Sequence, residues 1–240
     1  MITTHADVVG SLLRPPELLE AQKQLAAGAI SATQFKQIED QAVDEAVALQ
    51  ESVGLEVVTD GEMRRESFQS QMTAAVSGFG EFTLDAFLWG EWRGETGVQR
   101  KPRPHRLGVI SKLARERYLS ADEFTYLKTK TTRIPKITLP SPGLWANFWS
   151  AEHSKAVYTT LDSFLSDIVK ILREEVTELV RLGARYIQLD APHYGLLLDP
   201  KTRRFYEGQG WSLDQWLDRG IELDNAVMDR FPGITFGFHV

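Results

Sequence analysis

Five short segments carry side chains suited to holding a small charged molecule. Val9-Gly10-Ser11-Leu12-Leu13-Arg14-Pro15 contains a Gly-Ser turn, and backbone N–H groups with a hydroxyl can hydrogen-bond a carboxylate. The same residues suit a plain turn in which proline opens a helix. Asp60-Gly61-Glu62-Met63-Arg64-Arg65-Glu66 packs five charges into seven residues. Grouped carboxylates there can bind an amine or shift one another's pKa, although Arg–Glu pairing in a solvated loop uses the same residues. Gln188-Leu189-Asp190-Ala191-Pro192-His193-Tyr194 sets a carboxylate, an imidazole and a phenol side by side. Burying Asp190 without a partner is costly, and His193 is a candidate acid/base group or a loop histidine. Phe148 and Trp149 end a Pro-rich turn and suit either a pocket wall or the core. His239 is a candidate ligand or a structural histidine.

These residues need a scaffold, and the chain repeats one. Three times a helical stretch ends at a glycine, a short apolar strand follows, and the strand stops at a polar side chain. The three runs are Gly54 to Asp60, Gly183 to Asp190 and Gly233 to His239. A glycine past the last turn accepts the left-handed backbone that closes a helix. Ile38, Ala42, Ala46, Leu49 and Val53 recur at helical spacing behind a Ser31/Gln34 capping box. Leu161, Phe164, Ile168, Leu172, Val176 and Leu179 repeat the pattern. Ser212/Gln215 opens a third helix, and Ser120/Glu123 is placed to cap a fourth over about 121–132.

Strands are expected at 6–10, 55–60, 107–113, 136–140, 185–190 and 234–239. Alternating strands and helices imply a parallel sheet. Ser11, Asp60, Ser141, Asp190 and His239 all fall at strand C-terminal ends, the face where βα barrels assemble their active sites. The expectation is an α/β fold, a (βα)8 TIM barrel represented by about six of its eight units. Residues 1–240 then form one catalytic domain, C-terminally truncated, with 78–106 an excursion over the active face that serves as a lid or a subunit contact.

Composition removes several function classes. Against 27 basic residues stand 33 acidic ones, and the densest basic run, 100–106, is broken by Pro102 and Pro104. No nucleic-acid partner is expected. No apolar run approaches the ~18 residues of a membrane span. The first residues lack the pattern of a secretory signal, so a cytoplasmic location is the default. The chain has no cysteine, which excludes disulfides and thiolate ligands from these residues. Oligomeric state leaves no signature.

Together the segments resemble the catalytic barrel of cobalamin-independent methionine synthases, and more closely their single-barrel relatives. The resemblance spans Val8 to His239 and rests on Val9-Gly10-Ser11, on Gly61-Glu62, and on Ile187-Gln188-Leu189-Asp190-Ala191-Pro192. It implies an S-methyltransferase that converts homocysteine to methionine. Gly10 and Ser11 would meet the substrate carboxylate, and Glu62 and Asp190 its ammonium. Phe148 or Trp149 would line the methyl-donor pocket, with methyltetrahydrofolate a candidate donor. His239-Val240 matches the first two positions of the family's His-x-Cys zinc motif; the other ligands lie outside this sequence, so these residues alone are expected to be inactive. The resemblance leaves room for a zinc-thiolate alkyltransferase of the epoxyalkane:coenzyme M kind, or for a non-catalytic ligand-binding barrel. Uroporphyrinogen decarboxylase shares the general barrel plan at greater distance.

Overall fold

A computed structural model describes residues 6–81, 92–94, 97–99 and 107–240, with 92–94 and 97–99 described as backbone alone. Two helices open the chain, α1 (Pro16–Ala26) and α2 (Ala32–Ser52), before the short strand β1 (Val57–Val58). Helix α3 (Ser70–Ala75) leads into β2 (Val76–Glu81), followed by β3 (Trp92–Gly94), β4 (Gly97–Gln99) and β5 (Leu107–Arg115). Then come α4 (Ala121–Lys130), β6 (Ile134–Pro140) and a 3-10 segment, Pro142–Phe148. The long α5 (Leu161–Leu182), β7 (Tyr186–Asp190), α6 (His193–Leu196), α7 (Pro200–Gly208), α8 (Leu213–Met228) and β8 (Thr235–His239) complete the order.

The central sheet is parallel, in the order β1-β6-β7-β8. Its register sorts the side chains. Lys136, Tyr186 and Thr235 form one rung; Thr138, Gln188 and Gly237 the next; Pro140, Asp190 and His239 the last. The intervening rungs are Ile137, Ile187 and Phe236, then Leu139, Leu189 and Phe238. Because side chains alternate across a strand, one face of the sheet is mostly polar. On the other face Ile137, Leu139, Ile187 and Leu189 join the large hydrophobic core with Ile168, Leu172, Val176 and Leu179 of α5. A one-residue slip would exchange the faces, so burial of the apolar rungs fixes the register that aligns the polar ones.

Sequence signals for the helices are realised locally. Reciprocal capping boxes form at Ser31/Gln34 and Ser212/Gln215, and a further one at Thr160/Ser163. Gly183 closes α5 with φ +102°, a conformation that only glycine adopts cheaply.

Two expected strands are placed differently. Residues 6–10 form no ladder; side chains from the sheet hold this segment, as Lys136 Nζ donates to Val8 O, Gln188 Nε2 to Val9 O at 2.7 Å, and Thr59 Oγ1 to Gly10 O at 3.1 Å. The 107–113 run is a strand, but it pairs antiparallel with β2 and lies outside the parallel sheet. Ile110, Ser111 and Lys112 are exposed on it, as suits a two-stranded ribbon and not a central barrel strand. The expected 78–106 excursion is described only in part: Phe79 is within the described residues, whereas 82–91, 95–96 and 100–106 and the side chains of 92–94 lie outside them.

Candidate functional site

At the C-terminal end of β1 the chain turns back on itself. Thr59 is fixed by α2, since Gln50 Nε2 donates to Thr59 O (2.8 Å) and Gln50 Oε1 accepts from Thr59 N (2.9 Å). Gly61 follows with φ +68° and Glu62 with φ +55°. A non-glycine residue in the left-handed region is strained and persists only where its surroundings over-determine it. Here Asp60 Oδ1 accepts the Glu62 N–H (2.9 Å), and Arg14 donates to the carbonyls of Glu62 (3.1 Å) and Arg65 (3.0 Å). Leu12 N also donates to Gly61 O at 3.0 Å, which latches the Gly10-Ser11 turn against this loop.

The Glu62 carboxylate is buried and receives three donors. Ser11 Oγ donates to Oε2, while Thr138 Oγ1 (2.7 Å) and Arg65 Nη1 (3.0 Å) donate to Oε1. A Cβ on Gly10 would sit 2.7 Å from Oε1, so the close approach of turn and carboxylate requires glycine there. Arg65 is itself buried and clasped by Glu123, with Nε–Oε2 at 3.1 Å and Nη2–Oε2 at 2.7 Å. Burial alone would lower the Arg65 pKa, but the surrounding carboxylates, Glu123 first, raise it. Asp60 lies in the same cluster, and desolvation, helped by Glu123, pushes its carboxyl up to about 6.

The network continues across the sheet. Thr138, which donates to Glu62, is the register partner of Gln188. Gln188 Oε1 accepts from the fully buried Lys136 (2.8 Å), and its Nε2 donates to Asp190 Oδ1 at 2.7 Å. Asp190 Oδ1 also lies 3.2 Å from His239 Nδ1. Burial raises the Asp190 pKa, with the Gln188 hydrogen bond opposing and the Glu62 charge adding to the rise. Ser11, Glu62, Asp190 and His239 therefore occupy one connected region.

Other candidate residues fall elsewhere. His193 is fully buried against Tyr194, Tyr206 and Trp216, and neither ring nitrogen has a hydrogen-bond partner. Desolvation pushes its pKa down to about 3, so it packs as a neutral imidazole unlinked to the Glu62–Asp190 network. Phe148 is half-buried, with its ring centroid 5.1 Å from Phe79 and 6.3 Å from Trp145. Trp149 is buried, its Nε1 donating to Tyr158 O at 3.2 Å.

Sequence reasoning gives Arg65 and Glu123 only local roles, a loop ion pair and a helix cap, and assigns none to Lys136 and Thr138, whose signal is their polar alternation within an otherwise apolar strand. Ser120 and Glu123 have capping-box spacing, yet no side-chain cap forms on α4. Ser120 Oγ instead accepts from Gln71 (2.9 Å) and Arg65 (3.3 Å), and Glu123 binds Arg65.

A catalytic zinc takes three protein ligands and leaves a position open. Among the described residues no group of three His, Cys, Asp or Glu is placed to hold a metal, and the sequence has no cysteine. His239 can offer one imidazole; the residues present do not fit a catalytic zinc centre.

Parallel strands separated by helices, with a polar network at their C-terminal ends, define a protein of the α/β TIM-barrel class. The sequence pattern of the cobalamin-independent synthase catalytic domain matches residues 1–215. The chain belongs to that family. It is 28% identical to the uncharacterized protein YxjH of Bacillus subtilis (strain 168) over 98% of its own length and 61% of that protein's. It is 32% identical over 77% of its length, and 51% of the relative's, to a methionine synthase of Sulfurisphaera tokodaii. A solved protein of Listeria monocytogenes, assigned as a vitamin-B12 independent methionine synthase, superposes with a TM-score of 0.72 at 20% identity, covering 99% of this chain and 65% of that one. A B12-independent methionine synthase from Shewanella sp. W3-18-1, solved in complex with selenomethionine, gives 0.63 at 18%, covering 88% and 53%. The chain thus spans about three-fifths of the length of its Bacillus subtilis relatives. No helix among the described residues is long and apolar enough to cross a membrane.

Proposed function

We propose that this chain supplies the substrate-binding part of an S-methyltransferase that methylates homocysteine to methionine. The observation that carries the reading is that Ser11 and Thr138 bond Glu62 while Gln188, the register partner of Thr138 on the next strand, bonds Asp190. Two carboxylates facing one region suit one ammonium group, and the Gly10-Ser11 turn suits the α-carboxylate beside it. Fixing the amino-acid end on three elements orients the side-chain thiol for attack on a methyl group, which is catalysis by positioning. The selenomethionine held by the Shewanella relative is an amino acid of the same shape as the product.

The same two carboxylates argue against coenzyme M as the thiol, because its sulfonate is an anion and it has no amine. They also give the site a definite polarity, which a degenerate ligand-binding barrel would not need. The half-buried Phe148, beside Phe79 and Trp145, is the better candidate of the two expected aromatics for the wall of a methyl-donor pocket. Methyltetrahydrofolate remains the donor implied by the family resemblance.

Titration calorimetry tests the reading without requiring turnover. L-homocysteine and L-methionine should bind, whereas 4-mercaptobutanoate, which lacks the amine, should bind at least tenfold more weakly, a loss of about 1.4 kcal/mol. Equal affinity for the amine-bearing and amine-free thiols would reject the assignment of Glu62 and Asp190.

A further inference from the structure

Glu62 poses a problem of charge. A carboxylate that is to attract an ammonium ion is already 3.0 Å from the buried guanidinium of Arg65. An isolated Arg65 would neutralise Glu62 and repel a second cation. Glu123 changes the balance. It takes the Nε and Nη2 edge of the guanidinium, with Nε donating to Oε1 at 3.2 Å and Nη2 to Oε2 at 2.7 Å, the two-point geometry in which arginine binds a carboxylate most strongly, and leaves Nη1 to bridge Glu62 Oε1 and Thr138 Oγ1. One positive charge is thereby shared between Glu62 and Glu123, and Glu62 Oε2, which takes no bond from Arg65, accepts from Ser11 Oγ.

Glu123 is held with equal care. It lies in the first turn of α4, and the residues just ahead of that helix are pinned from α5, where Glu175 accepts the N–H groups of Leu119 (2.7 Å) and Ser120 (2.9 Å). Ser120 Oγ gives up its capping role to accept from Arg65 and Gln71. A helix start is thus arranged around the guanidinium and not around its own N–H groups.

We propose that Arg65 and Glu123 act as one positioning unit, Arg65 fixing the Glu62 carboxylate and Glu123 offsetting the arginine charge so that the Glu62–Arg65–Glu123 group as a whole attracts a substrate ammonium. This deepens the substrate reading given above and rests on it. Neither residue touches substrate; both act through Glu62.

The test compares affinities for L-homocysteine and 4-mercaptobutanoate in the wild-type chain, in Glu123→Gln, and in the double variant Arg65→Met/Glu123→Met. The double variant removes the guanidinium together with its Glu123 partner and leaves Glu62 buried with Ser11 and Thr138 as its donors. In Glu123→Gln the preference for L-homocysteine over the amine-free thiol should fall by about tenfold, with 4-mercaptobutanoate binding unchanged. The double variant, which leaves Glu62 unclamped, should lose preference as well. If Glu123→Gln fails to fold, a retained wild-type preference in the double variant overturns the proposal and a reduced one supports it. Equal weakening of both ligands, or an unchanged preference in folded variants, assigns the pair a purely structural role and overturns it as well. A wild-type chain that shows no preference for the amine-bearing thiol rejects the substrate reading itself, and this proposal falls with it.

Discussion

The two carboxylates of the site are built in different ways. Glu62 sits in a strained left-handed conformation, buried, and held by a full positive charge together with two hydroxyls. Asp190 ends a regular strand, takes its place from sheet register, and is met by a neutral amide and by a partly exposed imidazole. The cation nearest in its network, Lys136, reaches it only through the amide of Gln188. The Glu62 end is therefore prepaid and rigid, whereas the Asp190 end keeps an uncompensated cost that shows as a raised pKa. A binding site of this design has one fixed anchor and one that responds to what arrives.

The sharpest way to break the contrast is Arg65→Ala. It leaves Glu62 and Glu123 buried without a cation, and removing one partner of a buried pair typically costs about 3–5 kcal/mol. Urea unfolding should show a loss of that order; a loss below about 1 kcal/mol would mean that Glu62 is not held as described.

Asp60 gives the next largest effect, and it depends on pH. Its folded pKa, about 6, lies above its ordinary value, so the folded chain holds the proton more tightly than the unfolded chain does. The stability this contributes is complete below about pH 4 and is lost as pH rises through about 6. Asp60→Asn cannot ionise, so its stability relative to wild type should improve by up to about 3 kcal/mol between pH 4 and 7. Parallel pH profiles for the two proteins would contradict the burial argument.

Gln188→Leu probes the relayed end. It strips a donor from Asp190 and Val9 O and an acceptor from Lys136, and unsatisfied buried groups of this kind cost about 1–3 kcal/mol. Thr138→Val, the equivalent change at the other end, should cost less, because Glu62 keeps Arg65 and Ser11. Chemical denaturation of the two variants side by side would reverse the comparison if Thr138→Val proved the more damaging. His239→Ala should be the mildest. The side chain is 40% exposed, and such pairs contribute about 0–1 kcal/mol; a loss of 2 kcal/mol or more in the same denaturation assay would show that His239 carries the Asp190 end.

What was legible in the sequence is what local physics decides. Closing glycines at Gly54 and Gly183 and two capping boxes can be read from spacing, whereas α8 ends at Met228, ahead of Gly233; Ser11 lies against Glu62 and His239 against Asp190. What was not legible depends on partners distant in sequence. Residues 6–10 have strand-like composition, yet they are held by lysine, glutamine and threonine side chains in place of a ladder. The 107–113 strand is real, but its pairing with β2 is a tertiary choice that periodicity does not encode. Ser120 and Glu123 have the spacing of a cap, and only the arrival of Arg65 from 55 and 58 positions away diverts them. Arg65 itself reads as one charge in a solvated loop, because nothing local reveals its burial.

A double-mutant cycle on ligand affinity puts the shared grip to the most direct test. Glu62→Gln, Asp190→Asn and the combined variant are titrated with L-homocysteine. If both carboxylates hold one ammonium, the losses should be non-additive, with an interaction energy of about 1 kcal/mol or more. Additivity to within about 0.5 kcal/mol would mean that the two side chains serve separate ends of the molecule, and the account would be wrong at its centre.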